Sequence, residues 1–258
     1  NEVVAPVAAQ ADETCTFNQD VWGQMCELGL PALPFPEEEG GAGLDNLSYI
    51  IAVEELSRVC ASTGLSYAAH VSLGTWPIHA FGSDALKEKY MPGLCAGEFM
   101  GAYGLTEPNA GSDSGGTQTT AVLEGDHYLV NGSKCFITNG SFSKPYVITA
   151  QTDKSQGQKG IVALVVDRDT DGFSIEKGET KLGMRGSDWT NLVFQDCKVP
   201  ADNLLGTPET GFITFMKTLE GGRISIGALS LGIAQGALDQ AVKYANEREQ
   251  FGKHLSKH

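Results

Sequence analysis

The sequence is short of positive charge. It has 18 lysines and arginines against 32 aspartates and glutamates, which gives a formal net charge of −14. Because nucleic acids and anionic membrane surfaces attract basic proteins, this balance excludes both as partners. It does not exclude a small anionic ligand, which a few local cations could bind.

Several sequence signatures are also missing. No apolar run reaches the roughly 18 residues of a membrane-spanning helix, and nothing predicts a signal peptide or a targeting segment. The six cysteines, at positions 15, 26, 60, 95, 135 and 197, form no C-x-x-C pair and no Cys/His cluster with zinc-ligand spacing. We therefore expect buried free thiols, no metal site, and a soluble protein of a reducing intracellular compartment.

Glycine, by contrast, is abundant, at 32 of 258 residues, well above the usual ~7%. A chain this rich in glycine either consists largely of loops or brings its backbone close to a neighbour or a ligand. Since 41% of the residues are apolar and 19% are charged, the chain can still bury a substantial core.

The first of three regions with different periodicity, residues 1–100, is predicted to be helical. Helices are expected around 18–29, 47–61 and 84–95. A loop rich in proline and glycine precedes the second of these helices, and either Asp45 or Asn46 could cap it.

The second region, 101–207, alternates apolar and polar residues as strands do. Gly-Asp at 125–126 and Asn-Gly at 131–132 are typical of hairpin turns. We predict an antiparallel β-sandwich or barrel here. Because strands and helices do not alternate along the chain, a doubly wound parallel sheet is excluded and the fold class is α+β multidomain.

Helical spacing returns in the third region, 208–258, but glycines interrupt it. They stand at positions 221, 222, 227, 232 and 236. A glycine inside a helix costs up to ~1 kcal/mol relative to alanine. We therefore expect each of these glycines to face a closely packed neighbour or a ligand.

Two segments of the second region carry the clearest candidate chemistry. YGLTEPNAGSDSGG at 103–116 offers hydroxyls and glycine backbone that could bind a phosphate or the polar edge of a heterocycle, although it matches neither G-x-G-x-x-G nor a P-loop. In CFITNG at 135–140, Phe136 and Thr138 would share one face of a strand, which suits stacking on a ring and a hydrogen bond to its edge. Taken separately, the first segment could be an ordinary turn-rich loop and the second a core phenylalanine beside a surface threonine.

Taken together, these segments resemble the acyl-CoA dehydrogenase family, and the resemblance extends along the whole chain. The matching segments include ELGLPALPFPEEEGGAGLDN at 27–46, YGLTEPNAGSDSGG at 103–116, NGSKCFITNG at 131–140, KLGMRGSDWTN at 181–191 and REQFG at 248–252. The helical segment that begins TLEGGRISIG at 218–227 is most similar to that of the short-chain, butyryl-CoA type of member.

The resemblance implies three domains, which we expect at 1–100 (helical), 101–207 (β) and 208–258 (the first part of a C-terminal four-helix bundle). It also implies an FAD cofactor between the β-domain and the bundle. The positions that match the family's FAD contacts are Tyr103, Leu105, Thr106, Gly111, Ser112, Phe136 and Thr138. Arg248, Gln250 and Phe251 match positions that reach the FAD of a neighbouring subunit.

The implied substrate is an acyl-CoA. Its contacts in the family match Ser112, Ser187, Glu220 and Arg223, whereas Trp189 departs from the threonine or serine typical of its position. The resemblance further implies an electron-transfer flavoprotein as acceptor, a homotetramer built as a dimer of dimers, and a location in the bacterial cytoplasm or the mitochondrial matrix.

Desaturation of an acyl-CoA requires a carboxylate base for the α-proton. Most family members carry this glutamate beyond the position of residue 258, and the isovaleryl and long-chain types carry it where this chain has Gly222. Glu220 stands about 200° away around a helix. We therefore expect no catalytic base in this chain, a chain truncated at both ends, and no activity from these residues alone.

Two other classes of function remain open. An acyl-CoA oxidase or flavin monooxygenase on the same scaffold would pass electrons to oxygen. A binding or assembly member that has lost catalysis would explain the absence of a glutamate at Gly222.

Overall fold

The structure, a computed structural model, describes residues 2–258. Its first part is helical. The helices are α1 (Ala5–Thr14), α2 (Gln19–Glu27), α3 (Asn46–Val59), α4 (Ala61–Ala69), α5 (Trp76–Phe81) and α6 (Asp84–Ala96). Helices α2, α3 and α6 each follow a side chain that accepts a backbone N–H of the first turn, namely Asn18, Asp45 and Ser83. Of the two caps that the sequence allows for α3, the structure therefore has Asp45.

Between α4 and α5 the chain forms a π-helical segment, His70–Thr75. The buried His70 ring holds this segment against the next strand, because its Nδ1 accepts the Gly101 N–H at 3.1 Å. Its Nε2 lies 3.1 Å from the Leu94 carbonyl and donates to it. Gly74 rests directly on the Gly101 backbone, where any larger residue would clash. The π-helical segment is thus held against the sheet at two points.

One curled sheet of seven strands follows. The strands are β1 (Met100–Gly104), β2 (Thr120–Glu124), β3 (His127–Thr138), β4 (Ser143–Gln151), β5 (Ile161–Asp167), β6 (Phe173–Lys177) and β7 (Trp189–Pro200). Their order is β1-β4-β2-β3-β7-β6, with β5 also paired to β4. The sheet is mixed rather than antiparallel throughout, since β1 pairs with β4 in parallel. The β2–β3 hairpin lies between them in sequence, and so long a connection permits parallel pairing.

Only one of the two predicted hairpin turns is a turn. Gly125 and Asp126 join β2 to β3, because Glu124 pairs with His127 across them. The prediction at 131–132 is wrong: both residues lie inside β3, where the register against β7 shifts between Val130 and Gly132. The extra residue at this shift lies on β7, between Phe194 and Cys197. Gly132 itself lies so close to Thr119 that a side chain would not fit.

The chain ends with the long helix α7 (Gly211–Glu247) and a short hairpin, β8 (Glu249–Gln250) and β9 (Lys253–His254). Glycines 232 and 236 lie against the backbone of α3, and Gly222 lies against Leu73, as the sequence predicts. At glycines 221 and 227 no protein atom of the chain lies within 4 Å of an added Cβ, so of the two predicted alternatives, a neighbour or a ligand, the chain itself supplies no neighbour.

Two apolar clusters form the core, and both include β4 and β5. Val147, Ala163 and Val165 pack with the helices, while Ile148, Leu164 and Val166 pack within the curled sheet. Both faces of these strands are therefore buried. The order of helical, β and helical regions confirms the predicted fold class.

The cysteines are less buried than the sequence predicts. Cys95 and Cys197 are buried, which raises the pKa of each thiol to about 12, but Cys15 is exposed. Across residues 2–258 no disulfide, no cluster of metal ligands and no helix long and apolar enough to cross a membrane is present.

Candidate functional site

A cavity of about 180 Å³ lies where the π-helical segment, the sheet and α7 meet. Its lining residues are Ala69, Leu73, Ala102, Tyr103, Leu105, Thr106, Phe136, Ile137, Thr138 and Leu219. The two motifs that the sequence singled out, 31 residues apart at Leu105 and Phe136, thus lie on one wall. The structure brings together five of the predicted cofactor residues here: Tyr103, Leu105, Thr106, Phe136 and Thr138.

Two threonine hydroxyls lie on this wall. Thr106 and Thr138 are half-buried and both line the cavity, so their hydroxyls are within reach of a ligand there. Phe136 is 67% exposed, which is unusual for so large an apolar side chain. Its ring lies 5.2 Å from that of Trp189, which itself donates a hydrogen bond from Nε1 to the Glu179 carbonyl. Two hydroxyl donors beside an exposed aromatic face suit a planar polar heterocycle.

The turn after Thr138 has an unusual backbone that a neighbouring loop holds in place. Phe136 and Asn139 both have positive φ, 62° and 64°. The Asp188 carboxylate accepts the Ser141 N–H at 2.8 Å and the Ser141 hydroxyl at 2.7 Å. Asn139 donates from Nδ2 to the Ser66 carbonyl at 2.9 Å. These contacts hold Asn139 in its left-handed conformation, which costs free energy outside glycine.

A buried ion pair connects the two motifs. The Lys134 ammonium lies 2.7 Å from Oε1 of Glu107, and their side chains are 0% and 4% exposed. Burial lowers the pKa of Lys134 to about 8, and it also opposes ionisation of Glu107. The charge and hydrogen bond of Lys134, together with hydrogen bonds from Gln118 and Thr117, outweigh that second effect and hold the pKa of Glu107 at about 2. Both groups are therefore charged at neutral pH.

Tyr103 forms the floor of the cavity. Its ring stacks on Phe215 of α7 at 4.4 Å, and its hydroxyl donates to the Phe215 carbonyl at 3.0 Å. Burial raises the pKa of this phenol. Tyr103 therefore attaches the sheet to α7 and offers the cavity mainly its ring edge and backbone.

The two remaining cofactor positions of the first motif lie on an exposed loop. A bridge between Glu107 and Ala110 closes this loop into a tight turn. Gly111 and Ser112 follow it, and both are exposed. A Cβ at Gly111 would lie 4.0 Å from the Thr106 side chain, so the loop returns towards the cavity mouth.

The predicted substrate positions are spread over different surroundings. Ser187 is 3% exposed and its hydroxyl pairs with that of Ser66 at 3.0 Å, away from the cavity lining. Glu220 and Arg223 are exposed on α7, just after the cavity residue Leu219. Gly222 is buried, and a Cβ there would lie 3.0 Å from Cδ2 of Leu73, which lines the cavity.

The three predicted residues at the chain's end do not join this cavity. Arg248, Gln250 and Phe251 are exposed, and Phe251 is 95% exposed with a φ of 52°. At 1.5 Å per residue, Arg248 lies roughly 43 Å from Leu219 along the axis of α7. They cannot contact a ligand in the cavity of their own chain.

Sequence reasoning missed the ion pair and the helical wall of the cavity. A signal for Lys134 was available, because it falls on the same side of β3 as Tyr128 and Val130, and a lysine on the inner face of a strand requires an acidic partner. Leu73 gave no such signal, since its direction depends on the π-helical turn.

Three family sequence models match the chain: the acyl-CoA dehydrogenase N-terminal domain over residues 1–98, the middle domain over 102–197 and the C-terminal domain over 209–258. The short-chain-specific acyl-CoA dehydrogenase of Clostridium acetobutylicum is 53% identical over 254 residues, which are 98% of this chain and 67% of that protein.

Solved structures are similar to this chain in fold as well as in sequence. Butyryl-CoA dehydrogenase from Megasphaera elsdenii superposes with a TM-score of 0.95 at 45% identity, over 98% of this chain and 67% of that one. A chain from a structure described as the electron transferring flavoprotein of Acidaminococcus fermentans has a TM-score of 0.97 at 49% identity, over 100% of this chain and 68% of its own. The chain thus spans about two thirds of the length of these relatives.

Proposed function

The chain belongs to the acyl-CoA dehydrogenase family, and from this membership we propose that the protein desaturates a short-chain acyl-CoA between its α and β carbons. Members of this family are FAD-dependent oxidoreductases, and a similar solved structure, the acyl-CoA dehydrogenase of Bacillus anthracis, is complexed with FAD. The proposed electron acceptor is an electron-transfer flavoprotein, in keeping with the subject of the Acidaminococcus structure.

The observation that supports this function best is the wall of the cavity. FAD requires an aromatic or apolar surface for its ring and hydrogen-bond donors for the ring's polar edge, and Phe136, Thr106 and Thr138 offer these groups along the cavity wall. When bound there, FAD would supply the hydride acceptor for the reaction. We propose that Thr138 donates to the ring edge, that Phe136 covers the ring, and that Leu105 and Thr106 hold it from the opposite motif.

The exposed loop that carries Gly111 and Ser112 would add further contacts to the cofactor at the mouth of the cavity. Glycine lets the backbone approach a phosphate closely, and Ser112 is exposed at the right place to contact either cofactor or substrate. For Arg248, Gln250 and Phe251 we propose contacts to the FAD of a second subunit. Their distance from their own cavity supports this, and it makes the cofactor site dependent on oligomerisation.

The substrate site would extend from the cavity along α7. Arg223 is an exposed cation close to the cavity residue Leu219 and would attract the phosphates of CoA, with Glu220 beside it. For Ser187 a contact requires that its hydroxyl bond to Ser66 open first. The short acyl chain is proposed from the similarity to short-chain-specific and butyryl-CoA relatives.

The catalytic base is proposed to lie outside these residues. No carboxylate is among the cavity-lining side chains of the described chain, and Glu107 is already engaged by Lys134. Of the two glycines in the LEGGR segment, only Gly222 has an added Cβ that would meet the cavity residue Leu73. A glutamate placed there is expected to reach the substrate, because only the flexible end of a leucine has to move.

The first experiment follows the visible absorption of the flavin. The 258-residue chain is loaded with FAD and mixed anaerobically with butyryl-CoA or palmitoyl-CoA. We expect butyryl-CoA to perturb the flavin spectrum at lower concentration than palmitoyl-CoA, without bleaching it. The Gly222→Glu variant should bleach with butyryl-CoA, while Gly221→Glu, whose side chain points into open space, should not.

Each contrary result has its own meaning. Failure to bind FAD would refute the cofactor site, and bleaching of the unmodified chain would refute the absence of a base. Equal bleaching in both glutamate variants would refute the role of position 222. Rapid reoxidation by air of the reduced, product-bound flavin would favour an oxidase or monooxygenase, and tight substrate binding without reduction in any variant would favour a non-catalytic member.

A further inference from the structure

The two halves of the cavity wall are connected at two adjacent points beneath its surface. The first is a backbone bond, in which Cys135 donates its N–H to the Thr106 carbonyl at 2.8 Å. The second is the ion pair of Lys134 and Glu107, whose members are the neighbours of those residues in sequence. Each charged group is thus one residue away from the bonded pair, and neither lines the cavity.

The ion pair sits in a complete set of hydrogen bonds. The acceptors around the Lys134 ammonium are Oε1 of Glu107 at 2.7 Å, Oγ1 of Thr117 and of Thr149 at 3.0 Å each, and the Leu105 carbonyl at 3.3 Å. The other donors to the Glu107 carboxylate are the Thr117 hydroxyl at 2.7 Å and the N–H groups of Gln118 at 2.6 Å and Thr119 at 3.1 Å. The network therefore fixes both ends of the loop that runs from Leu105 to Thr119, and it attaches that loop to β3 and β4.

A gain in folding stability alone does not explain why the chain buries the Lys134–Glu107 ion pair. Removing two charges from water costs about as much as their attraction returns, and apolar residues of similar shape often serve a fold equally well. A pair of this kind does, however, impose one relative position on the groups it connects, because any other position leaves a buried charge without partners. Here the connected groups are the loop of Leu105 and Thr106 and the strand of Phe136 and Thr138.

We propose that Lys134 and Glu107 are positioning residues for the cofactor, which hold the Thr106 and Thr138 hydroxyls at the separation that FAD requires. This inference rests on the proposed function, since it takes FAD as the ligand. Neither residue touches the ligand: each acts through the backbone that it fixes. Loss of the pair should therefore weaken FAD binding even where the fold is kept.

Three variants separate positioning from stability: Lys134→Met, Glu107→Gln and the two changes combined. Each single change leaves one buried charge unpaired and should lower the melting temperature of the FAD-free chain. The double variant removes both charges and should recover the part of that loss that comes from the unpaired charge. The FAD dissociation constant, measured by recovery of flavin fluorescence, should stay raised by about tenfold or more in the double variant. The circular dichroism of the bound flavin should change with it.

The control is the double variant Lys89→Met and Asp167→Asn, a pair that is more exposed than Lys134 and Glu107. It removes a lysine–carboxylate pair, 3.2 Å apart, that joins α6 to β5 outside the cavity, and it should leave the FAD dissociation constant unchanged. If FAD affinity recovers together with the melting temperature in the Lys134→Met, Glu107→Gln protein, the pair is only structural and the inference is wrong. If the unmodified chain fails to bind FAD, it is the proposed function that fails, and this inference falls with it.

Discussion

His70 is a buried residue whose surroundings decide its protonation state. Its ring is 0% exposed, accepts the Gly101 N–H and donates to the Leu94 carbonyl, so it is held as one neutral tautomer. Burial lowers its pKa to about 4, although the Leu94 hydrogen bond opposes this effect. The residue thus connects the π-helical segment, α6 and β1, but only while it is uncharged.

This pKa predicts a specific loss of stability in mild acid. Between pH 6.5 and 4 the unfolded chain protonates His70 and the folded chain does not, so the free energy of unfolding should fall as the pH falls through that range. The contribution at full effect is on the order of 3 kcal/mol. His70→Gln should be less stable near neutral pH but show a flatter pH dependence, as measured by urea unfolding at a series of pH values. Parallel pH profiles of the two proteins would contradict the prediction.

At the scale of elements, α7 shows that glycines of one helix serve different purposes. Gly232 and Gly236 let the helix lie on the α3 backbone, and their positions leave no room for a methyl group. Gly227 is exposed and has no neighbour within 4 Å of an added Cβ. The close packing of α3 on α7 therefore depends on some of these glycines and not on others.

Paired alanine variants test this difference. Gly232→Ala should destabilise the chain by roughly 1–3 kcal/mol or more, because the methyl group would collide with the carbonyl of Glu54. Gly227→Ala should stabilise it by up to ~1 kcal/mol, since alanine is the better helix former and meets no obstacle. Chemical unfolding followed by circular dichroism measures both. Equal effects with the same sign would show that helix propensity, and not the contact with α3, decides the outcome.

At the scale of the whole molecule, the strands β4 and β5 hold the helical and β regions together. Val165 packs with the helices and Val166 packs within the curled sheet, and both are 0% exposed. A hydrogen bond from the Tyr90 hydroxyl to Asp167 at 2.9 Å continues this connection at the end of β5. One face of the β4–β5 pair belongs to the helical core and the other face belongs to the core of the curled sheet. Unfolding of one core would therefore expose a face of the strands that also form the other.

We therefore expect a single unfolding transition. Val165→Ala and Val166→Ala should each lower the free energy of unfolding by roughly 1–3 kcal/mol, because each leaves a small cavity in a closed core. In both variants the transition seen by far-ultraviolet circular dichroism should coincide with that of tryptophan fluorescence, which reports on Trp22 and Trp76 in the helices and Trp189 in the sheet. Separate midpoints for the two signals would show that the regions unfold independently.

Local pattern was enough to predict much of this protein. The change from helical spacing to alternation and back gives the order of the regions, and Asp45 and the Gly-Asp turn at 125–126 mark element ends that the structure has. The order of the regions and the ends of these elements depend on neighbours in sequence, so the sequence itself contains their cause. The motifs at 103–116 and 135–140 were ambiguous by local pattern and indicated a shared ligand only through their resemblance to the acyl-CoA dehydrogenase family.

What the sequence alone did not determine are the contacts between distant segments. The parallel pairing of β1 with β4, the register shift of β3 against β7 at Asn131, and the difference between Gly227 and Gly232 all depend on which segments meet in space. The pairing of Lys134 with Glu107 is of the same kind: the strand pattern requires a partner for a buried lysine, but 32 acidic residues were available. Only the tertiary structure selects one, because a buried charge is stabilised by the groups that packing places within hydrogen-bond distance.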